Sequence, residues 1–213
     1  KTRPGLTLHS DRELSSNGKR TTETTTTSPL LRSLTDSYNS TTSYSDGGGT
    51  TSMFGLLETQ YPRHVGADEL HNQGITGAGI TIAMLDSGLT ENPLDLFEER
   101  VTARVDFVGN ANGGALTADG SGHGTHSTSI AASGAKSTAV RSYGVAPGAS
   151  VVVARAFGAT GAGSYLDVIE GLTWIVANKK RLKIRVVNLS FSAPPQLNYW
   201  DDPLNQAVMA VWK

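Results

Sequence analysis

Three short, largely apolar runs constrain this chain more than any other feature. They lie at residues 80–85 (ITIAML), 151–154 (VVVA) and 184–189 (IRVVNL). A strand with one face in water alternates apolar and polar residues. A run with almost no polar position belongs to a strand covered on both faces, which is the environment of a parallel sheet. Helical segments fall between the runs. Ser164 is placed to cap a helix over 165–179, with Asp167 three positions on as the reciprocal acidic partner. Leu166, Ile169, Leu172, Thr173 and Val176 fall on one side of that helix. Residues 123–134 (HGTHSTSIAASG) are rich in small side chains and predict a helix packed close to its neighbours. Shorter helices are expected over 65–72, ending at Gly74, and from near Pro203 to Lys213. Strands alternating with helices of this length define an α/β class with a mostly parallel central sheet. The last helix has no cap and no strand follows it, so the sheet is expected to be incomplete at the C-terminal end.

Residues 1–52 differ in texture. TTETTTTSP at 21–29 and SDGGGTTS at 45–52 offer few apolar groups to bury. They are expected to form a linker or prosegment remnant, with one short strand or turn docked on the domain formed by 53–213. Lys and Arg number 18 against 19 Asp and Glu, a balance that lacks the basic footprint of a nucleic-acid partner. No apolar stretch reaches the roughly 18 residues of a membrane span. With no cysteine, disulfides, thiolate metal sites and a cysteine nucleophile are excluded. The low charge and abundant Thr, Ser and Gly favour a secreted, extracellular protein.

Two segments carry chemistry. Asp86 ends the first apolar run and is followed by Ser-Gly, so it sits at the C-terminal edge of the sheet, where open α/β sheets gather their ligands. An aspartate there also serves as a simple turn cap. His123 lies between Gly122 and Gly124 at the start of the small-residue helix, with little side-chain mass around its ring. Alone it reads equally as a turn residue, and His123 with His126 lacks a third ligand for a metal. Together the two segments say more. A buried carboxylate can accept a proton from one imidazole nitrogen and fix which tautomer faces a substrate. An imidazole, with an unperturbed pKa of about 6.5, gives and takes protons near neutrality.

These segments resemble the subtilisin-like serine proteases, or subtilases. GITIAMLDSGL at 79–89 is similar to the family's aspartate motif, and GHGTHSTSIAAS at 122–133 to its histidine motif. GVAPGASVVVARAF at 144–157 resembles the segment after the histidine helix. The resemblance implies a subtilisin-like three-layer fold, with Asp86 as the orienting acid and His123 as the general base of a serine endopeptidase. It assigns one wall of a polypeptide-binding cleft to Gly161, Ala162 and Gly163. The other wall falls to Leu189, Ser190 and Phe191. The family's nucleophilic serine and oxyanion asparagine have no match before Lys213. A complementary C-terminal segment is therefore expected to supply them, and the isolated chain is expected to be inactive. No cofactor is required for the chemistry. A structural calcium is allowed by resemblance, with Asp106, Asn110, Asn112 and Asp119 as oxygen-bearing candidates whose spacing fits no EF-hand. Ser127 and Ser192 depart from the family pattern, the first in a packed helix position, the second where the cleft usually continues with glycine. Two other classes stand beside this one. A nucleotide-binding enzyme would need a phosphate-cradling glycine signature, which is absent. A catalytically dead subtilase-like scaffold would lack the serine segment altogether.

Overall fold

The computed structural model describes residues 13–16, 61–90, 98–109, 119–136, 141–192 and 197–213. Most of the expected N-terminal extension, and the calcium candidates Asn110 and Asn112, lie outside the described residues. Four strands form a parallel sheet: β2 (Thr81–Asp86), β3 (Val101–Asp106), β4 (Ser150–Arg155) and β6 (Ile184–Asn188), in the order β3-β4-β2-β6. β2 pairs with β4 from Thr81 opposite Ser150 to Asp86 opposite Arg155. Its other side pairs with β6, where Met84 lies opposite Asn188. All six residues of β2 are buried, as the unbroken apolar run requires of a strand covered on both faces.

Alternation along the strands divides the core between the two faces. Ile82 and Met84 of β2, with Val151 and Val153 of β4, pack with Ala132, which ends the helix α3 (His123–Ala132). Ala83 and Leu85, with Val152 and Ala154, face the helix α4 (Tyr165–Asn178) through Val168, Leu172 and Ile175. Helices therefore cover both faces of the sheet, giving three layers. The three α4 side chains are each 0% exposed, which is worth about 1.5–3 kcal/mol apiece relative to exposure.

The helix boundaries follow local chemistry. Ser164 accepts a hydrogen bond from the Asp167 N–H at 3.0 Å, and the Asp167 carboxylate reaches back to the Ser164 N–H at 3.4 Å, completing the expected capping box. The apolar stripe expected on α4 is rotated in the structure. Leu166 is 44% exposed and Thr173 is exposed, while Tyr165, Val168, Gly171, Leu172 and Ile175 face inward. The helix expected over 65–72 is two short pieces, α1 (Tyr61–His64) and α2 (Ala67–Asn72). They are separated at Gly66, whose φ of 71° takes the chain out of the helical region. A last helix, α5 (Pro203–Trp212), starts from Asp202, whose carboxylate accepts the Leu204 N–H at 2.8 Å. The Tyr165 hydroxyl accepts from the same N–H at 3.1 Å, joining α5 to α4. Val186 on the outer strand β6 is 50% exposed, Met209 on α5 is 54% and Trp212 is 85%.

A second sheet of three short strands has the order β5-β1-β7. Here β5 is Ala162–Ser164, β1 is Glu13–Ser16 and β7 is Phe191–Ser192. β1 lies between the other two and is antiparallel to both. Leu14 stands opposite Gly163, and Ser15 opposite both Ala162 and Ser192.

Candidate active site

The parallel sheet delivers Asp86 as the last residue of β2, with neighbouring strands on both sides. It is 1% exposed. His123 opens α3, one residue after Gly122, whose φ of 80° is a left-handed conformation that suits glycine and sharpens the entry into the helix. The helix then crosses directly over the end of β2. Its buried residues Gly124, Thr128 and Ala132 are four apart and form a single stripe. Gly124 sits against Gly88. A Cβ at position 124 would lie 2.9 Å from the Gly88 nitrogen and closer still to its carbonyl oxygen. The small residues of the histidine segment are thus a packing requirement. Ser127 is half-buried, one position off this stripe.

The contact brings the two side chains together. His123 Nδ1 lies 2.7 Å from Asp86 Oδ1, with the imidazole 16% and the carboxylate 2% exposed. An ionised carboxylate only accepts hydrogen bonds, so Nδ1 carries the proton and Nε2 of the neutral ring is left with its lone pair. The Ser87 N–H donates to the same Asp86 oxygen at 2.7 Å. Asp86 Oδ2 is buried without a partner. That bare oxygen raises the cost of burying the carboxylate, a cost that a positive imidazolium alongside would offset. Arg155, opposite Asp86 in the β2–β4 register, pairs instead with Asp106 at 2.8 Å. Its charge is thereby engaged on the far side of the site.

Asp119 emerges as a residue whose part here sequence reasoning missed. It was considered only as an oxygen ligand for calcium. The residue is 7% exposed, and both its carboxylate oxygens are occupied. Oδ1 accepts the N–H groups of Ser121 at 3.1 Å and Gly122 at 3.0 Å. Oδ2 accepts the Thr125 N–H and hydroxyl, each at 2.8 Å. Burial pushes its pKa up, but the bonds from Thr125 and Gly122 outweigh burial and hold it below the ordinary value. Asp106 is likewise engaged, by Arg155 and by the Val108 N–H at 3.0 Å. Among the described residues, no group of three or more His, Cys, Asp or Glu is placed to bind a metal.

The residues expected to wall a peptide cleft fall on or beside the second sheet. Ala162 and Gly163 lie in β5, with Gly161 immediately before it. Phe191 begins β7, and Leu189 and Ser190 lead into it from β6. The Phe191 ring packs on Phe157 with centroids 5.3 Å apart. Running from Glu13 to Ser16, β1 heads past Ala162 toward the 158–161 turn. That turn abuts the dyad's loop: a Cβ on Gly120, three residues before His123, would lie 3.3 Å from Ala159 Cα. The strand between β5 and β7 therefore points toward the loop that carries the histidine. A separate concavity of about 550 Å³, lined by Arg63, Asp68, His71 and Lys136 among others, opens at the opposite ends of the strands and is remote from this chemistry.

Residues 77–212 match the Subtilase family of peptidases. The chain belongs to the subtilase family. It is 34% identical over 143 residues to Subtilisin Savinase of Lederbergia lenta, covering 67% of this chain and 48% of that relative. An alkaline protease of Alkalihalobacillus alcalophilus gives the same identity over 143 residues, covering 67% of this chain and 34% of the relative. Subtilisin E of Bacillus subtilis (strain 168) is 34% identical over 128 residues, 60% of this chain and 31% of its own length. The chain thus spans between about a third and a half of the length of these relatives. Membership fits the buried Asp86–His123 pair, which has the arrangement of a subtilisin-type acid and base. Among the described residues, no helix is long and apolar enough to cross a membrane.

Proposed function

We propose that the protein carrying this chain is a serine endopeptidase that hydrolyses polypeptides by acyl transfer. The observation that carries the proposal is the 2.7 Å contact between His123 Nδ1 and Asp86 Oδ1 at the rim of the sheet. His123 takes the hydroxyl proton of a serine at Nε2 as that serine attacks a peptide carbonyl. Asp86 holds the ring and stabilises the imidazolium, and His123 then returns the proton to the leaving amine. The serine and the oxyanion asparagine come from outside residues 1–213, so these residues alone do not turn over substrate. The outer side of β6, unpaired among the described residues, and the exposed faces of Val186, Met209 and Trp212 favour a complementary segment of the same domain packing there.

The substrate is an extended peptide held by main-chain pairing between 161–163 and 189–191. The antiparallel pairing of β1 with both β5 and β7 supports this reading, because it is the pairing a substrate strand would make. By the same argument Glu13–Ser16 acts as a prosegment strand that fills the cleft until displaced. An extracellular location is part of the proposal, supported by the low charged fraction of 17%.

The test uses the full-length protein and a fluorophosphonate probe, which labels an activated serine. The parent should be labelled and should cleave a peptide substrate. His123→Ala should lower kcat by about 10^4-fold or more. An unlabelled, inactive parent, or a His123→Ala variant with the parent's rate, would overturn the assignment. Turnover by purified 1–213 would sink the claim that the serine lies elsewhere.

A further inference from the structure

The dyad joins two elements that have no covalent reason to stay aligned. Asp86 belongs to the end of a strand and His123 to the start of a helix, 37 residues later. Asp119 contacts the carriers of both. Its Oδ1 binds the N–H groups of Ser121 and Gly122, just before the histidine, and its Oδ2 binds the N–H and hydroxyl of Thr125, two residues after it. The bracketed residue cannot shift without breaking one of these four bonds. The network also reaches the strand end. The Thr125 hydroxyl accepts the Thr90 N–H at 3.0 Å, and the Ser87 hydroxyl accepts the Gly124 N–H at 2.9 Å. The same hydroxyl donates to Asp86 Oδ1 at 3.3 Å.

We propose that Asp119 is a positioning residue of the dyad, fixing the His123 ring against Asp86. The inference rests on the peptidase reading for its kinetic consequence, but not for its structural one. An ionised Asp119 accepts all four bonds, whereas an amide in its place has one accepting oxygen and one donating nitrogen and cannot hold both ends of the bracket. The start of α3 then loosens and the imidazole moves away from Asp86. With the carboxylate farther off, the imidazolium loses stabilisation, and His123 gives up its proton more readily. Among the described residues, Arg155 and Arg104 also lie near this loop. The Arg155 stem would lie 3.6 Å from a Cβ on Gly88, with its guanidinium held by Asp106, and the Arg104 guanidinium donates to the Leu89 carbonyl at 2.9 Å.

The experiment compares Asp119→Asn with the parent in the full-length protein, with active sites counted by a fluorophosphonate. Expected is a fall in kcat per active site of about 10- to 100-fold, with KM changed by less than about twofold. The acid limb of the kcat/KM profile, and the titration of the His123 ring followed by NMR, should both move to lower pH. Thr125→Val, which removes one of the four bonds, should give a smaller loss of the same kind. A role in stability alone would reduce the number of active sites while leaving kcat per site and the His123 titration where they were. That result overturns the proposal. An inactive parent would refute the peptidase reading, and the NMR titration would still decide the role of Asp119.

Discussion

Replacing Gly124 with alanine tests whether close backbone approach sets the dyad geometry. The added Cβ would stand 2.9 Å from the Gly88 nitrogen and 3.2 Å from its carbonyl carbon, with the carbonyl oxygen nearer still. Ordinary carbon contacts lie at about 3.5–4.0 Å. The obstacle is backbone at the end of a buried strand, so it cannot rotate aside. The first turn of α3 must retreat by at least about 0.6 Å, the difference between 2.9 Å and that lower limit. His123 is the preceding residue and moves with it. Its 2.7 Å bond to Asp86 would then stretch to about 3.3 Å, beyond the usual limit for N–H···O bonds. Overpacking of this kind costs about 1–3 kcal/mol of stability, and a misplaced base about 10- to 100-fold in kcat. The assay is kcat per titrated active site in the full-length protein, alongside thermal unfolding. Full parental kcat with a Tm within about 1 °C of the parent would show that the contact does not constrain the pair, because even 1 kcal/mol moves Tm by about 2–4 °C in a domain of 150–250 residues.

Asp86→Asn should leave the fold intact but offer His123 Nδ1 no carboxylate, so the ring adopts the wrong tautomer. The expected loss in kcat is about 10^4-fold, and single-turnover kinetics showing less than a tenfold loss would refute the orienting role. Leu172→Ala removes a side chain with 0% exposure between α4 and the sheet. It should cost about 2–5 kcal/mol by denaturant unfolding, whereas Leu166→Ala, on the exposed side of the same helix, should stay within about 0.5 kcal/mol. Asp119 has a folded-state pKa held below its ordinary 3.8. Its contribution is therefore fully present above that ordinary value and is lost as pH falls through the lower, folded one. Asp119→Asn should flatten the acid side of the stability–pH curve, and an unchanged slope below about pH 4 would contradict the shift.

The buried strands and the two dyad residues were legible because their signals are local. An apolar run closed by Asp-Ser-Gly states both burial and an exit from the sheet, and glycines around a histidine state close approach. Strand β3 was not legible. Its sequence VTARVD mixes polar with apolar residues, and only its last two positions are buried. Its pairing with β4 is a long-range fact that no local pattern carries. The buried face of α4 was only partly legible: spacing groups Leu166 and Thr173 with Leu172, whereas packing against Leu85 and Val152 selects Val168, Leu172 and Ile175. The part Asp119 plays beside the dyad was not legible for a related reason. A lone aspartate among glycines and alanines does not announce its partners, and only the folded loop shows four donors converging on it.

The same contrast explains why the site is built at this junction. An aspartate and a histidine on separate elements face each other only if something specifies the distance between those elements to a fraction of an ångström. Apolar packing alone does not, because buried side chains of similar volume can be exchanged with modest shifts. Here the specification is made by groups with little freedom. Gly124 lets backbone meet backbone at Gly88, Ser87 ties the strand end to the helix through the Gly124 N–H, and Asp119 closes the helix start on both sides of His123. Each acts on main-chain atoms, so each is insensitive to the identity of neighbouring side chains. The surrounding layers supply stability and the junction supplies precision. Substitutions in the layers should therefore change unfolding before they change rate, and substitutions at Ser87, Asp119 or Gly124 should change the rate of the molecules that remain folded.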